Sequence, residues 1–408
     1  MLTEIRNFLR DNFQASFWTA NIMELFERIA YYGQAAVLSI YLRDYLHFTE
    51  GSAGTLSSIF GGLLYGLPIF AGAIIDKIGF RKSFLFAFSV LSIGYSTLGF
   101  TYNFANDTNL FFIVLFLLVF TAIGGSFIKP SVLGTINYTT TEKSKTMGYS
   151  IYYWLVNIGG ALGPIIAFFF RTQFGIQYVF LVSGISCTLM FFSTIIFYKN
   201  PKIESNNLSF IDIFNNFVKV IANIKFLIFL FIFALYWIMF WQIFVIIPFY
   251  LKDFISKDAP FDLITSTGPI TIILLQLVIS FITSKLSAKP SIIIGFLISG
   301  LSWLIIVLQP SIFTIIVMLV IHSIGEQIQA PKYYEYISKI APNGQIALYQ
   351  GFAFLPIAIG WAFGGSLGGY VYEIFKVSSQ PNLVFVVISS LGIFSALLMI
   401  VFFKIQNK

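Results

Sequence analysis

The sequence predicts an all-α membrane protein of about twelve transmembrane helices arranged as two six-helix bundles. Three observations predict it. Of 408 residues, 58% are apolar and only 10% are charged, against roughly 25% charged in a soluble domain. Mean hydropathy is +0.87. Apolar runs of about 20 residues, the length a helix needs to cross a bilayer, recur from end to end. Twelve such runs take up roughly 240 residues and leave short loops. A soluble enzyme, a disordered chain, a coiled coil and a collagen are excluded.

The first bundle, 1–198, holds spans at 15–43, 52–75, 82–102, 109–138, 146–170 and 176–198. The first carries Glu24, Glu27 and Arg28 inside its apolar run. The second has Tyr65 and Pro68 at its middle, and the third follows a short Gly79 turn. The fourth contains Lys129 and Pro130. The fifth places Tyr149, Tyr153 and Asn157 on one face, spaced by four. A polar cytoplasmic linker, 199–225, follows; Leu208, Ile211, Phe214, Val218 and Ile221 give its second part the spacing of an amphipathic surface helix. The second bundle, 226–408, holds spans at 226–251, 262–284, 290–309, 311–338, 345–373 and 381–404. Trp241-Gln242 lies in the seventh, and His322, Glu326, Lys332 and Glu335 in the tenth.

The halves show a weak internal repeat. Gly124 stands six residues before Pro130, and Gly325 six before Pro331, each in an even-numbered span. Gly148 and Gly351, near the start of the following spans, keep nearly the same offset. Parallel six-helix halves around a midplane site are the arrangement of the major facilitator fold.

Basic residues fix the orientation. With the N-terminus cytoplasmic and twelve crossings, sixteen Lys and Arg fall on the cytoplasmic side and five (Arg43, Arg171, Lys252, Lys257, Lys376) on the other. Both termini are then cytoplasmic and the protein sits in the plasma (inner) membrane. The net charge of +7 reflects this topology and carries no argument for nucleic acid. Cys187 is the only cysteine, so no intrachain disulfide or thiol metal site is available. The segment before Phe17 carries Glu4, Arg6, Arg10 and Asp11 and lacks the apolar core of a cleaved signal peptide.

A charge within a span costs at least roughly 2.5–3.5 kcal/mol near the bilayer centre, so such groups face a cavity or one another. Glu24 and Lys129 each lie nine residues from a cytoplasmic helix end, hence ~13 Å deep; Glu326 is twelve residues in, ~18 Å deep. Glu24, Glu27, Arg28 and Lys129 form a near-neutral set at similar depth. A proton on one Glu leaves a cation without its partner, so the set must rearrange or an anion must arrive. That couples proton entry to substrate movement. Tyr31 and Tyr32 extend the polar face by a turn. Glu326, the one acidic group near midplane in the second half, stands against Lys129 in the repeat, and an anion opposite a cation suits a zwitterion. Each of these has a bland counterpart, a static ion pair or a hydrogen-bonded residue between helices. His322, four residues from Glu326, could relay a proton or be a satisfied polar group. Lys332 and Glu335, three apart, read as a gate or interface pair.

The run Glu24-Leu25-Phe26-Glu27-Arg28-Ile29-Ala30-Tyr31-Tyr32-Gly33 resembles the ExxER signature of the proton-dependent oligopeptide transporter family, within the major facilitator superfamily. Gly72-x3-Asp76-Lys77-x-Gly79-Phe80-Arg81-Lys82 is similar to the superfamily's loop 2–3 motif. Ile128-Lys129-Pro130, Tyr152 to Gly159, and Glu326-x4-Pro331 resemble family segments of spans four, five and ten. The resemblance implies that Glu24, Glu27, Arg28 and Lys129 couple protons. It implies that Tyr32, Tyr65, Lys129 and Asn157 line the substrate cavity and that Glu326 meets the substrate amine; Tyr31, Tyr153 and Gln242 complete the candidate binding set. Asp76, Arg81, Lys332 and Glu335 are the candidate gates. Two departures bear on the substrate: Ala35 replaces a usual Arg, and Trp241 a usual acid.

The expected function is a proton-driven symporter importing small peptides or peptide-like zwitterions by alternating access. It needs no cofactor or metal beyond the proton gradient, and it works as a monomer. Transport of another solute (an amino acid, a nitrogenous metabolite or an organic anion) is the alternative, and a non-transporting receptor of the same fold a further one. A lipid-modifying enzyme would need a cluster that His47 and His322, far apart, do not form. No nucleotide-binding loop is present.

Overall fold

The computed structural model describes residues 12–103, 109–141, 144–201, 218, 220, 222–283, 286–341, 349 and 351–406. Among these, every regular element is helical, and the one strand-like contact is an isolated bridge between Phe13 and Thr140. The linker's expected surface helix lies almost wholly outside the described residues, as does the side chain of Asp76.

The helices are α1 Ala15–Ile40, α2 Glu50–Gly66, α3 Pro68–Ile78, α4 Phe80–Gly99, α5 Leu110–Ser126, α6 Ile128–Thr139, α7 Lys145–Gln173 and α8 Gln177–Ile196. They continue as α9 Ile224–Phe240, α10 Gln242–Tyr250, α11 Phe261–Thr265, α12 Thr267–Thr283, α13 Ala288–Ser302, α14 Leu304–Leu308, α15 Ile312–Ile340, α16 Leu355–Lys376 and α17 Val384–Gln406. Each of the twelve expected spans therefore corresponds to one helix or to consecutive pieces of one. Nine stretches among the described residues are long and apolar enough to cross a membrane. The other three expected spans are helical too. The first carries Glu24, Glu27 and Arg28 inside its run, the third opens on Arg81 and Lys82, and the described part of the eighth is a shorter apolar stretch, Phe261–Gln276. The chain is an integral membrane protein.

Several spans are broken, and proline accounts for two of the interruptions. Pro68 opens α3 after Leu67, and Pro130 follows the Phe127 step between α5 and α6. A proline removes one backbone bond and clashes with the preceding turn. In the fourth span this step leaves Lys129 in the first turn of α6, beside the break. Pro331, its counterpart in the repeat, sits inside an unbroken α15.

Contacts divide the chain into two compact units, Met1–Gln34 with Leu67–Ile213 and Ala35–Gly66 with Phe214–Lys408. The division falls within α1 and between α2 and α3. In the first unit an apolar core gathers Phe17, Phe84, Phe88, Tyr95, Ile128 and Ile136. Hydrophobic burial does not distinguish a helix partner from lipid, so association rests on close packing and hydrogen bonds. Serines of α8 supply the bonds: Ser183 Oγ donates to Ala30 O at 3.1 Å and Ser186 Oγ to Phe26 O at 3.2 Å, pinning α8 along α1. Glycines of α7 supply the close packing. A Cβ on Gly33 would stand 3.0 Å from Gly163 O, and one on Gly159 would collide with the Cβ of Arg28.

In the second unit α2 runs against α16 through Gly54, Gly365 and Gly369, whose backbones touch directly. Ser366 N–H donates to Ser58 Oγ at 2.8 Å across this seam. Phe229, Phe233, Tyr236, Phe296 and Tyr333 build an aromatic core where α9, α13 and α15 meet.

Candidate functional site

In the first unit the α1 triplet closes into one buried ionic cluster. Glu24, Glu27 and Arg28 are 0%, 1% and 2% exposed. Helical spacing places Glu24 one turn below Arg28, and Arg28 Nε lies 3.3 Å from Glu24 Oε1. The same Nε donates to Glu27 Oε2 at 2.6 Å, and Nη2 also pairs with Glu27. One guanidinium thus holds both carboxylates, a task its planar fork suits. Its carbon stands 5.0 Å from the centre of the Tyr31 ring, which packs edge-on against Tyr32. Lys129, half-buried on α6, lies within electrostatic range of Glu24, Glu27 and Arg28.

Sequence reasoning missed Tyr152. Its hydroxyl donates to Glu24 Oε1 at 3.3 Å, whereas Tyr153 is 47% exposed. Asn157 is half-buried and its amide donates to Tyr153 O at 2.8 Å. A readable signal existed. Tyr152, Gly159 and Gly163 share a face at spacings of seven and four, and the two glycines are the close-packing face of α7. Glu24 Oε2 is buried and accepts no hydrogen bond among the described residues. The cluster therefore holds a carboxylate oxygen open to a proton, next to a cation able to re-pair.

In the second unit, Tyr65 packs beside Trp241, ring centres 5.9 Å apart, and Trp241 stacks on Trp361 at 4.2 Å. Gln242 is fully buried and spends its amide on helix packing, donating to Ile238 O at 2.7 Å and Gly364 O at 2.9 Å. Glu326 is half-buried, within electrostatic range of Tyr236 and Tyr334. His322 contacts the backbone carbonyl of Ser299 through Nδ1 at 3.3 Å.

The expected gate residues are placed as follows. Lys332 and Glu335 pair at 3.0 Å within α15, and Lys339 joins Glu335 at 2.5 Å. Arg81 donates to Ile195 O at 2.7 Å, and its backbone N–H to Asn200 Oδ1 at 2.8 Å, so it holds the carbonyl end of α8. The turn before it uses Gly79 at φ +83°, a conformation that favours glycine. An ionic network that the sequence did not single out joins Arg43, Asp44, Glu50, Lys252, Asp253 and Lys376. Among the described residues no group of His, Cys, Asp and Glu could hold a metal.

The sequence profile of the Major Facilitator Superfamily matches residues 21–256 and 229–408. Dipeptide and tripeptide permease B of Aliivibrio fischeri is 28% identical over 174 residues, covering 42% of this chain and 34% of its own. Dipeptide and tripeptide permease A of Escherichia coli is 27% identical over 183 residues, covering 44% of this chain and 35% of its own. The matched stretches thus span about a third of those permeases. Two solved structures of POT family transporters share the fold. One, bound to a thioalcohol-conjugated peptide, has a TM-score of 0.78 at 21% identity. The other, bound to 5-aminolevulinic acid, has 0.77 at 22%; each comparison covers 96% of both chains. The chain belongs to the Major Facilitator Superfamily, with its likeness there to the peptide transporters of the POT family.

Proposed function

We propose that the protein is a proton-coupled symporter that imports small peptides or peptide-like zwitterions by alternating access. The observation that carries this is the buried cluster in which Arg28 bridges Glu24 and Glu27 with Lys129 in range. Protonation of either carboxylate frees part of the Arg28 fork, and the released positive charge is then available to a substrate carboxylate. Glu24 and Glu27 are the proton carriers, and Arg28 and Lys129 their counter-ions. Tyr31, Tyr32, Tyr65, Tyr153 and Asn157 line the solute's path, and Glu326 receives its amine. Asp76, Arg81, Lys332 and Glu335 serve as gates. Gln242 completes the binding set: its amide nitrogen ties α10 to α16 and its Oε1 has no hydrogen-bond partner among the described residues.

In this reading the halves 1–198 and 226–408 are the moving bundles, joined by the 199–225 linker. The protein acts as a monomer in the plasma membrane with both termini cytoplasmic, and a proton gradient replaces any cofactor. It is a carrier and has no enzymatic step. The names of the related permeases and the peptide in a structural neighbour support peptides as the solute class.

A second reading rests on Trp241. A stacked indole pair, Trp241 on Trp361, stands where an acid is usual, and Ala35 where an arginine is usual. Both changes favour a smaller or less charged solute, such as an amino acid or organic anion. The bound 5-aminolevulinic acid of the second neighbour shows such a molecule on this fold. Uptake driven by a pH gradient into proteoliposomes, screened over di- and tripeptides and competed with amino acids and anions, decides between them. Gradient-dependent peptide uptake supports the first reading; uptake blocked only by non-peptide competitors supports the second. Ligand binding without any uptake would make the protein a receptor.

A further inference from the structure

Helix register brings a phenol to the first-span acids. On α7, Gly148, Tyr152, Gly159 and Gly163 follow at spacings of four, seven and four, which is one face of a helix. That face lies along α1. A Cβ on Gly148 would stand 3.3 Å from the Phe17 ring, one on Gly159 would collide with the Cβ of Arg28, and one on Gly163 would stand 2.7 Å from Gly33 N. The contacts advance in step, since 148 to 159 and 17 to 28 are the same eleven residues, about three turns. Tyr152 sits between the glycines of this seam and meets Glu24. All of these residues belong to the first unit.

The hydrogen bonds on the two carboxylates are unequal. Glu27 Oε2 takes Arg28 Nε at 2.6 Å and is paired with Nη2 as well. Glu24 Oε1 has longer contacts, 3.3 Å to Arg28 Nε and 3.3 Å to the Tyr152 hydroxyl, which donates to it. Glu24 Oε2 is buried and has no hydrogen-bond partner among the described residues. The Arg28 fork is thus engaged chiefly with Glu27, and Glu24 is steadied in addition by an uncharged donor. A donor bonds an ionised oxygen about twice as strongly as a neutral one. The Tyr152 hydroxyl therefore favours the ionised Glu24, and its hold weakens as a proton arrives on Oε2. The other titratable groups around the cluster are Glu27, Arg28 and Tyr31 of α1, Lys129 of α6 and Cys187 of α8. All of them stay in place when only the Tyr152 hydroxyl is removed.

We propose that Tyr152 is a positioning residue that sets the pH at which Glu24 takes a proton, by donating to Oε1 while Oε2 stays open. The coupling of that proton to a solute rests on the symporter reading; the hydrogen-bonded acid does not.

Acid titration of the full-length protein in nanodiscs, followed by infrared difference spectroscopy, tests the role of Tyr152. It reads the C=O stretch of each carboxyl that becomes protonated, and the band lost in Glu24→Gln belongs to Glu24. Tyr152→Phe keeps the ring and removes the hydroxyl. It is expected to raise the midpoint of the Glu24 band by about half to one pH unit, or about threefold to tenfold in proton affinity. The stretch should also move to higher frequency, because Oε1 has lost a donor. A fluorinated tyrosine at position 152 is a more acidic, stronger donor and should lower the midpoint, which keeps the test open should Tyr152→Phe fold poorly. An unmoved midpoint and frequency, a shift in the same direction from both replacements, or no band lost in Glu24→Gln would overturn the role. The pH profile of gradient-driven uptake, measured alongside, should follow the infrared midpoint. The expected infrared response with no peptide uptake removes the symporter reading alone, and gradient-driven uptake with no infrared response removes the role of Tyr152 alone.

Discussion

At the scale of single residues, Arg28 is the group on which the first-unit cluster turns. It meets Glu24 and Glu27 at once, and Gly159 leaves room for its stem. A lysine keeps the charge and loses the fork. Arg28→Lys is therefore expected to keep expression and to lower gradient-driven uptake at least about tenfold, the effect of losing one charge-assisted hydrogen bond. Uptake at the wild-type rate would show that charge alone suffices. The triplet itself was plain in the sequence, because three ionisable residues inside an apolar run have few explanations. Tyr152 was not, because the Tyr149–Tyr153–Asn157 spacing drew attention to another face of the helix. Which face meets α1 depends on where the backbones approach, and that is a property of Gly159 and Gly163.

Helix elements set those approaches. Where lipid competes for every apolar side chain, a glycine that lets two backbones touch contributes contacts that a larger residue cannot make. Gly163 faces Gly33 N and Ile29 O so closely that a Cβ has no space. Gly163→Val is expected to destabilise the protein by about 1–3 kcal/mol, the usual range for overpacking, read as a lower melting temperature in detergent. Gly351, with no atom within 4 Å of an added Cβ, supplies the contrast, and Gly351→Ala should melt with the wild type. Span positions were legible because hydropathy at this length is a strong signal. Breaks within spans were legible only in part. Pro130 marks an interruption and Pro331, at the matching place, does not, since neighbouring helices decide whether the freed backbone groups are re-satisfied. The single π turns at Tyr41–Tyr45 and Leu251–Ile255 were not legible from periodicity.

Over the whole molecule, two ionic clusters serve different ends. The network around Arg43 lies where water reaches it, and its acid dependence follows from Asp44. Burial pushes the Asp44 carboxyl up, but hydrogen bonds from Arg43 and Lys252 and their charges outweigh burial and hold it below the usual carboxylate range. An acid shifted this way adds stability that is fully present above its unfolded value, ~3.9, and is lost as pH falls through the lowered folded value. The melting temperature of the wild type should therefore fall more steeply below about pH 4 than that of Asp44→Asn, with the two curves converging in acid. Parallel curves would show that Asp44 contributes nothing through its charge.

The cluster around Arg28 carries the functional claim, that buried carboxylates and their cations exchange partners when a proton binds. Paired assays on Glu27→Gln in proteoliposomes test it most directly, accumulation against a pH gradient beside counterflow without one. The account predicts that accumulation is abolished while counterflow persists near the wild-type rate. Full accumulation in the variant, or equal loss of both activities, would contradict it.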